Sequence, residues 1–194
     1  PAHPETSRKV AQAILNAAAK TGMPEGVFGH IEGGLELGTY LVKHPLVKAV
    51  GFTGSFQGGK ALLDLANRRK EPIPVFAEMG SVNPVFLFEN ALILRGGAIS
   101  TMLADSVTLG CGQFCTNPGL MIGVQSPALE AFITELKTKV ATKPALPMLH
   151  QGIANSFRKG IQNIENQADV QIQSFNDDQN PINGFPTIAV VSGA

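Results

Sequence analysis

Two cysteines and one strand-end glutamate are the residues of this sequence whose types and settings could do covalent chemistry. Cys115 lies in Gly110-Cys111-Gly112-Gln113-Phe114-Cys115-Thr116-Asn117-Pro118-Gly119, a loop too rich in glycine to be ordinary core. A thiolate in such a loop can form a covalent intermediate where a nearby positive dipole favours the charge; a buried, inert thiol is the plain alternative. Cys111 reads as packing. The pair does not make a metal site, because a structural zinc needs about four ligands, and His3, His30, His44 and His150 are scattered singly. Glu78 follows the apolar run Val75-Phe76-Ala77, where a carboxylate is costly unless it is paired or faces a wet cleft. Open α/β sheets place their sites at strand ends, so Glu78 is a candidate site carboxylate, with a salt-bridged boundary residue as the alternative.

Glycine marks the other candidate positions. Gly51-Phe52-Thr53-Gly54-Ser55, followed by Gly58-Gly59, joins the end of an expected strand to the start of an expected helix. Glycines let a backbone approach a ligand closely, and a helix N-terminus offers N–H groups to a pyrophosphate. The spacing differs from the G-x-G-x-x-G of dinucleotide folds, and on pattern alone a strand-to-helix turn capped by Ser55 is the simpler reading. Gly33-Gly34, with Gly38 four residues on, is a second turn of the same kind.

The elements that must position these residues alternate. Val10, Ala11, Ile14, Leu15, Ala18 and Ala19 recur at helical spacing between Thr6 and Lys20, with Thr6 or Ser7 as the N-cap and Thr21-Gly22 as the stop. An apolar stretch over Val27 to Ile31 reads as a strand, Leu37 to Lys43 as a helix closed before His44-Pro45, Val47 to Phe52 as a strand, Gly58 to Arg68 as a helix and Ile73 to Phe76 as a strand. Arg68-Arg69-Lys70 reads as a solvated helix C-terminus. Beyond Met79-Gly80 a strand over Pro84 to Phe88, a helix over Gly97 to Leu109, a strand over Leu120 to Val124 and a helix over Pro127 to Val140 follow. Lys143 to Pro147 is a connector, Gln151 to Asn166 a helix, Ser174 to Gly184 a polar surface loop and Thr187 to Val191 a strand. Strand and helix in alternation mean an α/β class with a doubly wound parallel sheet, divided near Gly80.

Composition excludes several functions. Hydrophobic residues make up 44% and charged residues 15%, which argues against disorder and for surface that something else normally covers. Fifteen basic residues balance fifteen acidic ones, so there is no basic footprint for nucleic acid or an anionic membrane. Apolar runs are broken by Gly, Pro or charge, so no membrane-spanning helix is expected, and Pro1 opens no signal peptide. A soluble cytoplasmic protein is the expectation, and two cysteines are too few for a disulfide scaffold.

Three motifs in order resemble the aldehyde dehydrogenase superfamily: Phe52-Thr53-Gly54-Ser55 with Gly59, then Glu78-Met79-Gly80-Ser81-Val82-Asn83-Pro84, then Gly112-Gln113-Phe114-Cys115. The family commonly reads E-L-G-G-K where this chain reads Glu78-Met79-Gly80-Ser81-Val82. Pro72 to Gly80 and the form Gly112-Gln113-Phe114-Cys115-Thr116 are most similar to one branch, the α-ketoglutaric semialdehyde (2,5-dioxovalerate) and fatty aldehyde dehydrogenases. The resemblance implies residues 1–79 as the second half of a Rossmann-like cofactor domain and residues 80–194 as the start of an α/β catalytic domain.

By the same resemblance, Cys115 is the nucleophile and Glu78 the general base of an NAD- or NADP-dependent oxidation of an aldehyde to a carboxylate. Phe52, Thr53, Gly54, Ser55, Gly59 and Met79 would hold the cofactor, and Gly34 and Gly38 would line its adenine cleft. The turn Glu32-Gly33-Gly34-Leu35-Glu36 beside the adenosine ribose carries two acids and no base, so tolerance of both cofactors is expected. The implied partners are a small aldehyde and a second copy of the chain, as homodimer or homotetramer. Family members are roughly two and a half times this long, so the stretch is expected to be part of a longer enzyme and inactive alone. Two other readings stand beside this one: a non-catalytic dinucleotide-binding fragment, and a coenzyme-A-acylating dehydrogenase in which a thiol replaces the water.

Overall fold

The computed structural model describes residues 3–193. Pro1, on which the signal-peptide reading rests, lies outside them. The chain divides into two compact units, Pro1–Gly80 and Ser81–Ala194.

In the first unit, helix α1 (Pro4–Lys20) starts three residues earlier than Ser7, with Pro4 at its first position. A proline's fixed φ suits that place, and Ser7, inside the first turn, donates back to the Pro4 carbonyl at 2.8 Å instead of capping. The helix ends in a Schellman arrangement: Gly22 adopts φ +66°, and the Met23 N–H reaches the Ala18 carbonyl at 3.0 Å. Strand β1 (Val50–Thr53) pairs in parallel with β2 (Val75–Glu78), in a register that sets Thr53 beside Glu78. Helices α2 (Leu35–Lys43) and α3 (Phe56–Asn67) pack on each other and enclose Val42, Ala66 and Ile73. Two expectations fail here. Val27 to Ile31 is not a strand: both end residues are exposed, and no described strand pairs with it. Arg69 is not simply solvated, because its guanidinium donates to the Val42 and Val47 carbonyls at 2.8 and 2.9 Å and closes the end of α2.

In the second unit, β3 (Pro84–Leu87) pairs in parallel with β4 (Leu120–Gly123). Between them run α4 (Glu89–Thr108) and a short 3₁₀ turn, Leu109–Gly112. Helix α5 (Pro127–Val140) begins at a Ser126 cap and lies along α4, burying Phe132, Leu136 and Val140 against Leu87, Leu92, Ala104 and Phe175. The expectation that no segment is long and apolar enough to span a bilayer is corrected. Glu89–Gly112 reaches a mean hydropathy of 1.2 over such a length, and it uses Leu92 and Ala104 to build this core.

Past α5, the pattern turns antiparallel. β5 (Leu146–Pro147) pairs with β7 (Asn183–Gly184), and β6 (Val170–Ser174) pairs with β8 (Thr187–Val191), with α6 (Gln151–Glu165) between β5 and β6. The polar stretch after Ser174 is not a plain surface loop: Phe175, Asn183 and Phe185 are buried. Arg158 of α6 organises it, donating to the Asn180 and Asn183 carbonyls at 3.0 and 3.2 Å, pairing with Asp177 at 3.5 Å and lying 5.0 Å over the Phe185 ring. Arg158→Met removes the guanidinium donor from both carbonyls, leaving Asn180 O with the Asn183 N–H at 3.0 Å. It is expected to lower unfolding stability by about 1–3 kcal/mol, read as a shift in urea midpoint at unchanged slope.

Candidate active site

The C-terminal ends of β1 and β2 gather most of the expected residues of the first unit. The Gly54 N–H donates to the Glu78 carbonyl at 3.0 Å, so the backbone of Glu78 is pinned while its side chain stays exposed. A parallel pair whose strand ends carry an exposed carboxylate next to a helix N-terminus is where α/β sheets bind and react.

That helix is α3, and Ser55 does cap it: its Oγ accepts the Gly58 N–H at 3.1 Å. The remaining first-turn amides, those of Phe56 and Gln57, stand at the open end of the helix, where an anion is favoured. Side chains approach the glycines of this turn closely. A Cβ on Gly54 would sit 2.6 Å from the Phe52 ring, one on Gly58 2.9 Å from the same ring, and one on Gly59 2.7 Å from Met79 Sδ. Phe52 and Met79 are thus packed onto the turn, and Thr53 is exposed at its mouth. Gly34 and Gly38, at the start of α2, are different: a Cβ at either would meet nothing within 4 Å.

The acidic turn that precedes α2 does have a base. Arg8 of α1 grips Glu32 through both carboxylate oxygens, Nε to Oε1 at 2.6 Å and Nη2 to Oε2 at 2.7 Å, and touches Glu5 at 3.2 Å. The Arg8 hydrogen bond holds the Glu32 carboxyl below its usual range. Local reading of Glu32 to Glu36 missed this cation because it lies 24 residues away in sequence.

In the second unit, the left-handed residues Gly110, Cys111 and Gly112 (φ +56°, +58° and +70°) turn the chain out of α4 into the loop of Cys115. Cys115 is exposed and Cys111 half-buried. Loop and neighbouring segment are laced together. Ser81 Oγ donates to the Cys115 carbonyl, and Asn83 Nδ2 reaches the same carbonyl at 2.8 Å, Asn117 O at 3.0 Å and Ser81 Oγ at 2.9 Å. The Gly119 N–H donates to Val82 O at 2.8 Å. From inside the loop, Asn117 Nδ2 donates to Gly112 O at 2.9 Å, and Gln113 accepts the Leu149 N–H at 2.9 Å.

Ser81, Asn83, Gln113 and Asn117 carry these contacts, and residue-type reasoning about nucleophiles and bases did not single them out. The available signals were Ser81 in the place of a family glycine, and an asparagine before Pro84, since asparagine tolerates the left-handed backbone that Asn83 adopts at φ +46°.

The two thiols differ in setting. Burial pushes the Cys111 thiol up, and its Sγ lies 3.3 Å from the Leu146 carbonyl. Iodoacetamide at neutral pH is therefore expected to alkylate Cys115 at least about tenfold faster than Cys111, as followed by peptide mapping. Cys111 labelled first would reverse the assignment.

The family model described as the aldehyde dehydrogenase family matches residues 3–154. Alpha-ketoglutaric semialdehyde dehydrogenase 2 of Azospirillum brasilense is 56% identical over 160 residues, 82% of this chain and 30% of its own length. Alpha-ketoglutaric semialdehyde dehydrogenase of Acinetobacter baylyi is 47% identical over 165 residues, 85% of this chain and 31% of its own. The chain spans about a third of the length of these curated relatives. Among solved structures, a glyceraldehyde-3-phosphate dehydrogenase of Methanocaldococcus jannaschii complexed with NADP superposes with a TM-score of 0.78 at 22% identity, over 98% of this chain and 42% of that one, which establishes the shared α/β fold.

Proposed function

The chain belongs to the aldehyde dehydrogenase family, and on that footing we propose that the complete protein oxidises an aldehyde to a carboxylate through a thioester on Cys115, with α-ketoglutaric semialdehyde as the favoured substrate. The observation that carries this is the exposed Cys115 on a loop laced to residues 81–83, in a chain 56% identical to a dehydrogenase of that name. Residues 1–79 serve the cofactor and residues 80–194 the catalytic side. The thiolate attacks the carbonyl carbon, and the Cys115 backbone N–H donates to the oxyanion that forms.

The first unit fits a dinucleotide. Its glycine turn brings the Phe52 ring within 2.6 Å of where a Cβ on Gly54 would sit, and the open amides of α3 suit a pyrophosphate. When bound, the nicotinamide supplies the hydride acceptor. Phe52, Thr53, Gly54, Ser55 and Gly59 would hold the phosphates, Met79 would back the nicotinamide side, and Gly34 and Gly38 would border the adenine, where the open space at both glycines leaves room. Loss of hydride leaves a thioester on Cys115. Glu78 then takes a proton from water, the hydroxide attacks the acyl carbon, the tetrahedral adduct expels the Cys115 thiolate, and the acid formed gives its proton to solvent and leaves as the carboxylate. Assembly as a homodimer or homotetramer, which the resemblance implies, belongs to the same reading.

The test is aldehyde-dependent cofactor reduction by the complete protein, comparing α-ketoglutaric semialdehyde with a fatty aldehyde. A higher kcat/KM for the first supports the substrate; no reduction with any aldehyde refutes the reading. Cofactor choice tests the Arg8 pair. With Glu32 occupied by Arg8, NAD and NADP are expected to differ by less than about a hundredfold in kcat/KM, or 2.7 kcal/mol. Glu32→Gln removes the charged partner on the Nε side, leaving Arg8 only its contact with Glu5, and is expected to shift the ratio toward NADP by about two- to fivefold, the size of one exposed ion pair. An unchanged ratio would remove Arg8 from the account.

A further inference from the structure

We infer that Ser81 and Asn83 are positioning residues for the nucleophile, holding the Cys115 carbonyl so that the thiol and the Cys115 N–H face the substrate carbonyl in fixed relation. The inference rests on Cys115 being the nucleophile. Both lone pairs of the Cys115 carbonyl have a donor, one from Ser81 Oγ and one from Asn83 Nδ2 at 2.8 Å. That fixes the rotation of the backbone on the C-terminal side of Cys115. The N-terminal side is fixed independently, through Gln113 bonded to Leu149 N and Gly110 O, and Asn117 bonded to Gly112 O. A residue held on both sides has one direction for its Cα–Cβ bond.

The donors are themselves tied together. Asn83 Nδ2 donates to Ser81 Oγ at 2.9 Å, which leaves the serine hydroxyl proton for the carbonyl. Asn83 reaches this geometry from a left-handed backbone, φ +46°. The segment 81–83 is held against the loop at its far end by Gly119 N–H on Val82 O at 2.8 Å. Ser81 stands where the family pattern commonly has a glycine, which has no hydroxyl to give. A displaced reacting atom is costly: misplacement by about 1 Å can slow a reaction by about a hundredfold.

Pre-steady-state bursts of reduced cofactor in the complete protein test this. Ser81→Ala and Asn83→Gly, the latter keeping the left-handed backbone without the amide, are each expected to slow the burst about tenfold. The KM for cofactor and the steady-state deacylation are expected to stay within about twofold, because the proposed reading assigns the cofactor to Phe52, Thr53, Gly54, Ser55, Gly59 and Met79 and the water to Glu78. Ser81→Thr, which keeps the hydroxyl, is expected to restore the wild-type burst.

Bursts within twofold of wild type in both variants would overturn the inference. So would a Ser81→Thr burst as slow as that of Ser81→Ala, which would mean packing and not the hydrogen bond. The Ser81 pair decides alone if Asn83→Gly folds poorly. A wild-type protein with no burst and no alkylation of Cys115 would instead refute the nucleophile itself, so the two failures are distinguishable.

Discussion

Cys115→Ala in the complete protein is expected to lose aldehyde oxidation by at least about four orders of magnitude, the scale on which removing a nucleophile acts in acyl-transfer enzymes. The reason is that the covalent route has no substitute thiol. Cys111 is held half-buried between the Leu146 carbonyl and Gly184, where a Cβ would lie 2.8 Å from its Sγ, and burial raises its thiol. Cofactor binding, followed by quenching of reduced-cofactor fluorescence, is expected to persist, because the glycine turn and the α3 amides belong to the other unit. Cys111→Ala is the control: alanine accepts the φ of +58° no worse than cysteine does, so activity is expected within about threefold, the cost of a packed thiol near neutral in effect. Retained oxidation in Cys115→Ala would refute the thioester route.

Much of the first unit was legible in the sequence because its signals are local. Ser55 caps α3 as its type and place imply, and the crowding of Gly54, Gly58 and Gly59 against Phe52 and Met79 explains a glycine cluster that pattern alone read as a turn. Val27 to Ile31 shows the limit. An apolar run looks strand-like from its own residues, yet a strand exists only where a partner supplies hydrogen bonds, and none of the described strands does.

The second unit hid more, for the same reason. β6 is Val-Gln-Ile-Gln-Ser, an alternating strand whose partner β8 lies beyond a polar stretch. That stretch looked like plain surface because Asp177, Asp178, Asn180 and Asn183 are polar, while their bonds to Arg158 and to one another are what order them. Cys115 was visible as a residue type. The hydrogen bonds that aim it come from 32 and 34 residues away, a separation that no local pattern encodes.

Glu78→Gln separates the two halves of the proposed chemistry. Glutamine matches glutamate in size and keeps the backbone bond from the Gly54 N–H, so the β1–β2 strand end should be unaltered. What it lacks is a basic oxygen to take a proton from water. Attack by Cys115 and loss of hydride need no base at that position, so the first turnover is expected to proceed at close to the wild-type rate, with a burst near one reduced cofactor per active site. Hydrolysis of the thioester does need one, and general-base assistance contributes about a hundred- to ten-thousandfold, so the steady state is expected to fall by at least about a hundredfold. Acid quenching should trap acyl-enzyme on the Cys115 peptide. Loss of the burst together with the steady state would mean that Glu78 acts before hydride leaves, in generating the thiolate. Addition of coenzyme A separates the remaining possibility: a thiol brings its own nucleophile, so rapid turnover restored by coenzyme A but not by added water-activating base such as imidazole would make the protein an acylating dehydrogenase. Hydrolysis accelerated by imidazole would place Glu78 as the base, at the exposed strand end where water reaches it.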